Sequence, residues 1–361
     1  MARPILLLLL VPLVAPLACS PADSPADEPK KGGFADARPG RNGGDDPKPR
    51  PKFGEDRDPP AAKLPVPADP KATKFDGERC MKYLKAVCDL GPRVSGTDGM
   101  AKQIALLTKH FDDLGGKVTK QEFKVRQKSR REDTAMTNLV VSWFPDRKSR
   151  VILCAHYDTR PFADQEADRK NWAKPFVSAN DGTSGVALMM ELAHHMKALD
   201  TAVGVDFVLF DGEEFVFTGP ERADDSYFLG SDHFAAEYKK AKDKLPYQYV
   251  AAVLFDLFAH DGARLAVEGY SWANARTLVD EIWGAADKAG AKTFKYERGF
   301  NRGNDVQDDH LALQAVGIPA VDVIDFDYKH WHALSDTADK CSAKQFATVA
   351  AVITGWLKGN K

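Results

Sequence analysis

Four short apolar runs constrain the fold more strongly than any other feature of this sequence. They cover residues 151–154, 205–210, 250–255 and 319–324. The first and third runs are entirely apolar, and each of the other two contains one aspartate, Asp206 or Asp322. Almost continuous apolar strands are typical of a sheet that helices cover on both faces. The runs therefore predict a central, mainly parallel (mixed) sheet that is buried on both sides.

Helical patterns supply the layers that such a sheet needs. Apolar periodicity predicts helices at residues 75–90, 99–114, 184–199, 272–289 and 343–357. Two further strands are predicted at residues 117–123 and 137–143. Together with the four runs, these elements predict an α/β fold, a three-layer sandwich with helices on both faces of the sheet.

The first 72 residues differ in composition from the rest of the chain. Residues 1–19 combine a basic start, an apolar core and small residues, which is the layout of an export signal. They end in a Leu-Ala-Cys sequence that resembles a lipobox, in which Cys19 would carry a lipid. Residues 20–72 are rich in Pro, Gly and charged residues and are predicted to be a disordered tether. We expect one folded domain at residues 73–361 of an exported protein, either periplasmic or a membrane-anchored lipoprotein, with secretion as an alternative.

Charge and cysteine content argue against two classes of site. The net charge is −2, and acidic and basic residues are well mixed, so no nucleic-acid partner is expected. Cys80 and Cys88 lie eight residues apart on a predicted helix and should not bridge each other. No Cys-x-x-Cys pair is present, so a thiolate zinc site is not expected either. Contact with a membrane is expected only through a lipid on Cys19.

Titratable residues follow each of the four apolar runs. In chain order they are His156 and Asp158, then Asp211, Glu213 and Glu214, then Asp256, and finally His332. Asp181 lies between the first two runs, just before a predicted helix. In open α/β sheets, ligands bind beyond the carboxyl ends of the strands. Each motif alone has a structural explanation, such as Asp181 acting as a helix N-cap. Their convergence at one sheet edge nevertheless predicts a functional site.

The ligand types at this edge favour zinc. One histidine with carboxylates, and without thiolates, is typical of a catalytic zinc site that keeps one position open for substrate. Successive side chains on extended backbone point apart, so Glu213 and Glu214 should not both bind one ion. One of them can therefore bind the metal while its neighbour faces the substrate as an acid or base.

Six sequence motifs resemble those of one known family, and they occur in that family's order. They are CAHYDTRP, SANDGTSGVALMMELA, VLFDGEEF, VLFDL, QDDHLALQAVGIPA and WHALSDT. They are similar to the motifs of the zinc-dependent family that unites co-catalytic aminopeptidases with glutaminyl-peptide cyclotransferases. The resemblance extends over essentially the whole domain from residue 75 onward, which implies that residues 73–361 form a zinc-dependent catalytic domain.

The resemblance also implies a role for individual positions. It makes zinc ligands of Asp181, Glu214 and His332. Glu213 would be the general acid/base, and His156 and Asp256 match the positions that hold a second zinc in the aminopeptidases. The cyclotransferases keep similar residues there but work with one zinc. The ligand inventory alone therefore leaves both activities open.

Three features favour the cyclotransferase branch. Trp331 directly precedes His332, where aminopeptidases more often place a tyrosine. Asp308, in the QDDH sequence, resembles the aspartate that joins a buried carboxylate network with the general acid/base and the VLFDL aspartate. The loop at residues 159–178 is similar to that of bacterial cyclase-like members.

Two departures from the cyclase pattern affect the substrate pocket. The cyclases carry a tryptophan shortly after the glutamate pair, where this chain has Phe215, Phe217 and Gly219. They also show a histidine where Asp322 stands. These differences concern the shape of the pocket and not the metal ligands.

The reaction implied by the resemblance is cyclisation of an N-terminal glutamine to pyroglutamate with loss of ammonia. Its substrates would be peptides or proteins with a free N-terminus. Glu213, Asp256 and Asp308 would be the catalytic residues, one zinc ion the cofactor, and Trp331 a wall of the substrate pocket.

Two other functions are compatible with the same residues. One is a two-zinc aminopeptidase, in which His156 and Asp256 help to hold the second ion and Glu213 deprotonates a water. The other is a non-catalytic binding domain of a surface lipoprotein. The intact Glu213-Glu214 pair argues against the latter, because binding alone does not need a free carboxylate beside a ligand.

Overall fold

The computed structural model describes residues 75–217 and 224–359. The predicted export signal (1–19) and the predicted tether (20–72) lie outside these residues, as does Cys19, so these assignments stay predictions. Within the described ranges, no helix has both the length and the apolar character needed to span a membrane.

The described residues form eight strands and eight α-helices. The strands are β1 (Lys117–Val125), β2 (Thr134–Trp143), β3 (Ser149–His156), β4 (Gly204–Phe210), β5 (Gln248–Phe255), β6 (Leu265–Val267), β7 (Phe294–Arg298) and β8 (Ala320–Val323). The helices are α1 (Gly77–Cys88), α2 (Asp98–Leu114), α3 (Thr183–Met196), α4 (Leu229–Ala241), α5 (Gly269–Asn274), α6 (Arg276–Lys288), α7 (His310–Ala315) and α8 (Ala343–Gly359).

The first two helices begin and end where local sequence signals place them. The Asp76 carboxylate accepts hydrogen bonds from the N–H groups of Glu78 and Arg79 and so caps α1. Thr97 caps α2 in the same way. Helix α2 ends at Gly115, whose φ of 85° lies in the left-handed region that glycine adopts without strain. The chain then turns directly into β1.

The central sheet is mixed, as predicted. Its strand order is β1-β2-β4-β3-β5-β8. The pairs β1–β2 and β2–β4 are antiparallel, whereas β4, β3, β5 and β8 run parallel to one another. In the register of the parallel strands, His156 lies opposite Phe210, and Phe255 lies opposite Val323. The residues that follow these strands therefore leave the sheet at one common edge.

Helices cover both faces of this sheet, and alternate residues of β3 belong to two different cores. Val151, Leu153 and Ala155 pack in the larger core with α1, α2, α3, α6 and α8. Ile152 and Cys154 pack in the smaller core with α4 and α7. Burial of the strand on both faces explains its continuously apolar sequence, and the predicted three-layer α/β fold is confirmed.

Helix α3 is buried on every side. Val186, Met189, Ala193 and Met196, which share one face of the helix, are all in the larger core. The remaining face is covered as well, because α1, α2 and α8 contact the helix on one side and β3 and β5 on the other. The loop in front of this helix is consequently held close to the sheet edge.

The predicted helix at residues 272–289 is wrong in one respect. The segment forms two helices, α5 and α6, because Ala275 adopts a non-helical conformation with φ −134° and ψ 38°. The Glu268 carboxylate fixes the start of α5 by accepting hydrogen bonds from the N–H groups of Tyr270 and Ser271, at 2.7 Å each. Helices α4 and α7 and the small β6–β7 sheet are further elements that the sequence patterns did not predict.

The cysteines agree with the prediction that Cys80 and Cys88 do not bridge. Both are free and buried, and Cys154 and Cys341 are free as well. Burial raises the pKa of the Cys80 thiol well above its ordinary value, so this cysteine stays an uncharged core residue.

Candidate metal centre

A cavity of about 330 Å³ lies at the sheet edge where the parallel strands end. Its lining includes the predicted site residues Asp181, Glu213, Glu214, Asp256, Asp308, Trp331 and His332. The remaining predicted residue, His156, is buried at the end of β3, with its Nε2 atom 3.1 Å from Asp181 Oδ1. The structure thus brings every predicted site residue to one place.

The first potential ligand group combines Asp181, Glu214 and His332. One donor atom from each residue lies within 4.8 Å of the others. His332 Nε2 is 3.1 Å from Glu214 Oε2 and 3.8 Å from Asp181 Oδ2. All three side chains are buried. One imidazole and two carboxylates facing a common point is the donor set of a catalytic zinc with an open fourth position.

Two observations indicate that a cation fits this group. Asp181 Oδ2 is buried and has no hydrogen-bond partner within the protein. A buried carboxylate oxygen without a partner is costly, and a bound cation removes that cost. The other oxygen of Glu214, Oε1, accepts the backbone N–H of Arg160 at 2.6 Å, which leaves Oε2 facing His332.

A second potential ligand group shares Asp181 with the first. It consists of His156, Asp181 and Asp256, whose donor atoms also lie within 4.8 Å of one another. His156 Nε2 is 3.5 Å from Asp256 Oδ1, and that oxygen also accepts the backbone N–H of Gly182 at 3.1 Å. His156 Nδ1 has no hydrogen-bond partner. The residues that match a second zinc site are therefore also assembled.

The two adjacent glutamates face different partners. The Asp158 carboxylate accepts the backbone N–H groups of Glu213 and Glu214, at 3.1 and 3.3 Å, and so fixes the turn after β4. Glu214 faces His332, whereas the Glu213 side chain faces the cavity with Oε2 3.9 Å from His156 Nδ1. This arrangement corresponds to one ligand beside one free carboxylate.

Asp211, at the start of the same acidic run, has a structural role. Its carboxylate accepts hydrogen bonds from Ser95 Oγ at 2.6 Å and from the N–H of Thr137 at 2.8 Å. Gly212 then reverses the chain with a φ of 77°. Asp211 thus stabilises this loop and Gly212 turns the chain. The next two residues, Glu213 and Glu214, belong to the site.

Asp181 is fixed by a hydrogen bond from its backbone N–H, and its side chain does not cap a helix. The N-cap position of α3 is Gly182, and no side chain caps that helix. Instead, the Asp336 carboxylate accepts the N–H groups of Asn180 and Asp181, at 3.0 and 3.2 Å, and the hydroxyl of Tyr328 at 2.8 Å. The Asp181 side chain is consequently free to face the cavity.

The cavity collects more carboxylates than can all be ionised together. Burial holds the pKa of Glu213 well above its ordinary value. Burial and the charge of Asp256 do the same for the pKa of Asp308. Burial and the charge of Asp181 raise the pKa of Glu214 to about 7. A cation among these groups would relieve the repulsion.

An aromatic wall lines one side of the cavity. The Trp331 ring lies 4.0 Å from the His332 ring and meets Phe326 edge-on at 5.3 Å. Tyr227 and Phe228 also line the cavity. Phe215 and Phe217, which stand in the sequence where a tryptophan was expected, pack against each other at 4.8 Å. The aromatic surface therefore comes from other segments than the one that follows the glutamate pair.

Four residues support the site without having been predicted to do so, although Asp158 was among the titratable residues expected at this edge. They are Asp158, Arg160, Asp164 and Asp336. Their partners are far away in sequence: 54 residues separate Arg160 from Glu214, and 168 separate Asp164 from His332. Two of the family motifs, CAHYDTRP and WHALSDT, contain three of the four residues, but residue type alone does not reveal a partner.

Comparison with known proteins assigns the chain to a family. The sequence profile of Peptidase family M28 matches residues 138–357, which is more than half of the chain. The chain belongs to peptidase family M28. The match includes every predicted site residue from His156 to His332. Members of this family are zinc-dependent.

Two solved structures are similar to this chain over most of its length. A glutaminyl cyclase of Fimbriiglobus ruber is 61% identical, over 82% of this chain and 100% of that one, with a TM-score of 0.79. A leucine aminopeptidase precursor from Bacteroides thetaiotaomicron is 29% identical, over 80% of this chain and 98% of that one, with a TM-score of 0.72.

The alkaline phosphatase isozyme conversion protein of Escherichia coli (strain K12) is 35% identical over 66 residues, which are 18% of this chain and 19% of that protein.

Proposed function

We propose that this protein is a zinc-dependent glutaminyl-peptide cyclotransferase, an enzyme that converts N-terminal glutamine to pyroglutamate and releases ammonia. The observation that carries the proposal is the 61% identity to the Fimbriiglobus ruber glutaminyl cyclase over the whole of that chain. The cavity supports it, because it places a free carboxylate, Glu213, beside a potential zinc site and an aromatic wall.

The reaction needs one proton to move between two nitrogen atoms. The substrate's α-amine nitrogen forms a bond to the side-chain amide carbon, and the bond from that carbon to the amide nitrogen breaks. Bound by Asp181, Glu214 and His332, zinc would polarise the amide carbonyl as a Lewis acid. Glu213 takes the proton that the amine loses and passes it to the leaving nitrogen, which departs as ammonia. A raised pKa suits this exchange at neutral pH.

Asp256 and Asp308 assist Glu213 by sharing protons with it. All three carboxylates line the same cavity, and burial raises the pKa of each. Like charges in one buried site cannot all persist, so protons are shared among them. A carboxylate in this group can then accept a hydrogen bond when ionised or donate one when protonated. Such hydrogen bonds to the substrate's amine and amide groups hold the amine close to the amide carbon.

We propose that one zinc ion serves the reaction. The substrate supplies its own nucleophile, so no second ion is needed to prepare a water. In the second ligand group, Asp256 Oδ1 already accepts the N–H of Gly182 and lies 3.5 Å from His156 Nε2. These protein partners let His156 and Asp256 serve as part of the carboxylate network.

A two-zinc aminopeptidase is the second candidate. It is favoured by the complete second ligand group and by the 29% identity to the leucine aminopeptidase precursor. Glu213 would then take a proton from water during hydrolysis of the first peptide bond.

The proposed substrates are peptides or proteins with a free N-terminus. No basic face is expected for a nucleic acid, since the net charge is −2. We further propose that the protein acts after export, as a periplasmic, lipid-anchored or secreted enzyme. Fractionation of the Cys19→Ala variant against the wild type tests the lipid anchor, because loss of the lipid would release the protein from the membrane.

Two peptides distinguish the candidates. The purified protein is incubated with a glutamine-initiated and a leucine-initiated peptide, and both are followed by mass spectrometry. We expect loss of ammonia from the first peptide and no change in the second, and Glu213→Gln should slow the reaction by about 10³-fold or more. Release of free leucine without pyroglutamate would identify an aminopeptidase instead.

A further inference from the structure

One short segment, residues 160–166, contacts two of the three potential zinc ligands. Its contacts are Arg160 N–H to Glu214 Oε1 at 2.6 Å, Asp164 Oδ1 to His332 Nδ1 at 2.9 Å, Gln165 N–H to His332 O at 3.2 Å, and Glu166 Oε1 to Leu334 N–H at 2.8 Å. The segment therefore holds both the side chain and the backbone of His332 and also one oxygen of Glu214.

The backbone of His332 needs such support. Its φ is 53°, in the left-handed region that residues with a side chain rarely adopt. Conformations of this kind persist where surrounding contacts enforce them. In this site the Gln165 N–H binds the carbonyl of His332, and the Glu166 carboxylate binds the N–H two residues further on, at Leu334.

The side-chain contact determines which imidazole nitrogen can bind a metal. An ionised carboxylate only accepts hydrogen bonds, so His332 Nδ1 must carry the hydrogen that it donates to Asp164. The lone pair of the neutral ring is then on Nε2, the atom that faces Glu214 and Asp181. Carboxylates that bind the outer nitrogen of a zinc-ligating histidine set its tautomer and ring orientation in this way.

Arg160 keeps Asp164 in place and occupies its second oxygen. The guanidinium donates to Asp164 Oδ2 from Nη2 at 2.6 Å and from Nε at 3.0 Å. The Asp164 side chain is 9% exposed and that of His332 is 8% exposed, so this is not a weak surface pair. Asp164 lines the cavity, but both of its oxygens already accept hydrogen bonds from protein side chains.

We propose that Asp164 is a positioning residue of the zinc site. It fixes His332 as the Nδ1–H tautomer with Nε2 directed at the metal, and Arg160 connects this pair to the second ligand, Glu214. The inference rests on the zinc site of the proposed function. It does not depend on whether the enzyme is a cyclotransferase or an aminopeptidase.

The Asp164→Asn variant tests the proposal without changing the size of the side chain. Asparagine has one oxygen for two donors, so either His332 or Arg160 loses its acceptor. We expect zinc affinity, measured by competition with a chelator, to fall by about 10- to 100-fold. The visible spectrum of the Co²⁺-loaded variant should also shift, because the geometry of the imidazole ligand changes. Asp164→Ala, which removes the acceptor altogether, should show the same loss.

Asp168→Asn is the matched control in the same loop. Asp168 is exposed, and its carboxylate accepts the N–H of Lys170, away from the cavity. Affinities are measured well below the melting temperature of each metal-free variant, so a stability loss alone cannot imitate the effect. Wild-type zinc affinity in both Asp164 variants, or an equal loss in Asp168→Asn, overturns the proposal. Neither result depends on turnover, so failure of the peptide assay would not affect this test.

Discussion

Replacing Glu213 with glutamine removes the proposed acid/base and keeps the shape of the side chain. Glu213 is not among the three proposed zinc ligands, so the metal site should remain intact. Loss of a general acid/base lowers kcat by about 10²- to 10⁴-fold, which corresponds to ~3–5 kcal/mol in the activation free energy.

The structure places the expected effect in the upper part of that range. The neighbouring carboxylates are already engaged, since Asp256 Oδ1 accepts the Gly182 N–H at 3.1 Å and Asp308 Oδ1 accepts the Asp309 N–H at 2.7 Å. A carboxylate that already accepts a backbone N–H is a poorer proton carrier than the Glu213 side chain, so Asp256 and Asp308 support the transfer but do not replace Glu213. We therefore expect a loss of about 10³-fold or more.

The assay combines turnover of a glutamine-initiated peptide with a measurement of bound zinc. Glu213→Gln should keep its zinc and lose kcat, with little change in KM. Glu237→Gln, an exposed residue of α4 that pairs with Lys240, is the control and should behave as wild type. A decrease in kcat of less than about tenfold, or loss of zinc from Glu213→Gln, would refute the division of roles between the two glutamates.

Three further predictions concern the pocket, the scaffold and the metal. Trp331→Ala removes part of the aromatic wall and should raise KM for the glutamine-initiated peptide by roughly tenfold, or ~1.4 kcal/mol. The zinc content should not change. An unchanged KM would show that the substrate binds away from this wall. Asp206→Ala leaves the buried Arg150 guanidinium without its charged partner and should lower the free energy of unfolding by ~3–5 kcal/mol in a denaturant titration. Its activity per folded molecule should not change, because Arg150 lies at the opposite end of β3 from the cavity. Removal of zinc by a chelator should lower the melting temperature but keep the circular dichroism of the folded protein, and unfolding on metal removal would mean that the fold itself depends on the metal.

The layers of the fold were predictable because a strand that is buried on both faces has a continuously apolar sequence. The β3 run (151–154) alternates between two cores, so every residue in it is apolar. The break between α5 and α6 leaves no such record. Ala275 is a good helix former, and neither glycine nor proline marks the point where its backbone departs from helical geometry. The Glu268 carboxylate fixes where α5 begins, and this contact is not visible in the periodicity of the sequence either.

The candidate site divides in the same way between local and distant determinants. Residues such as Glu214 and Asp256 were predictable because they lie within four residues of the ends of apolar strands that meet at one edge. The role of the supporting residues could not be predicted, because it depends on a hydrogen-bond partner that lies far away in the sequence. Asp158 was expected at this edge of the sheet and Asp336 lies in a family motif, but their supporting role appears only when folding brings backbone N–H groups to their carboxylates.

These supporting carboxylates hold the potential metal ligands through contacts within the protein. Asp158 fixes the backbone of the glutamate pair, Asp336 fixes that of Asp181, and segment 160–166 fixes His332. The supports bind N–H groups and not the metal, so ligand geometry is determined by the protein. The cost of this preorganisation is a set of crowded buried carboxylates, including an Asp181 oxygen without a partner. A cation offsets that cost and stabilises the folded state by mass action. We therefore expect metal binding to raise the stability of the folded state, while the fold itself comes from the two cores on either side of the sheet.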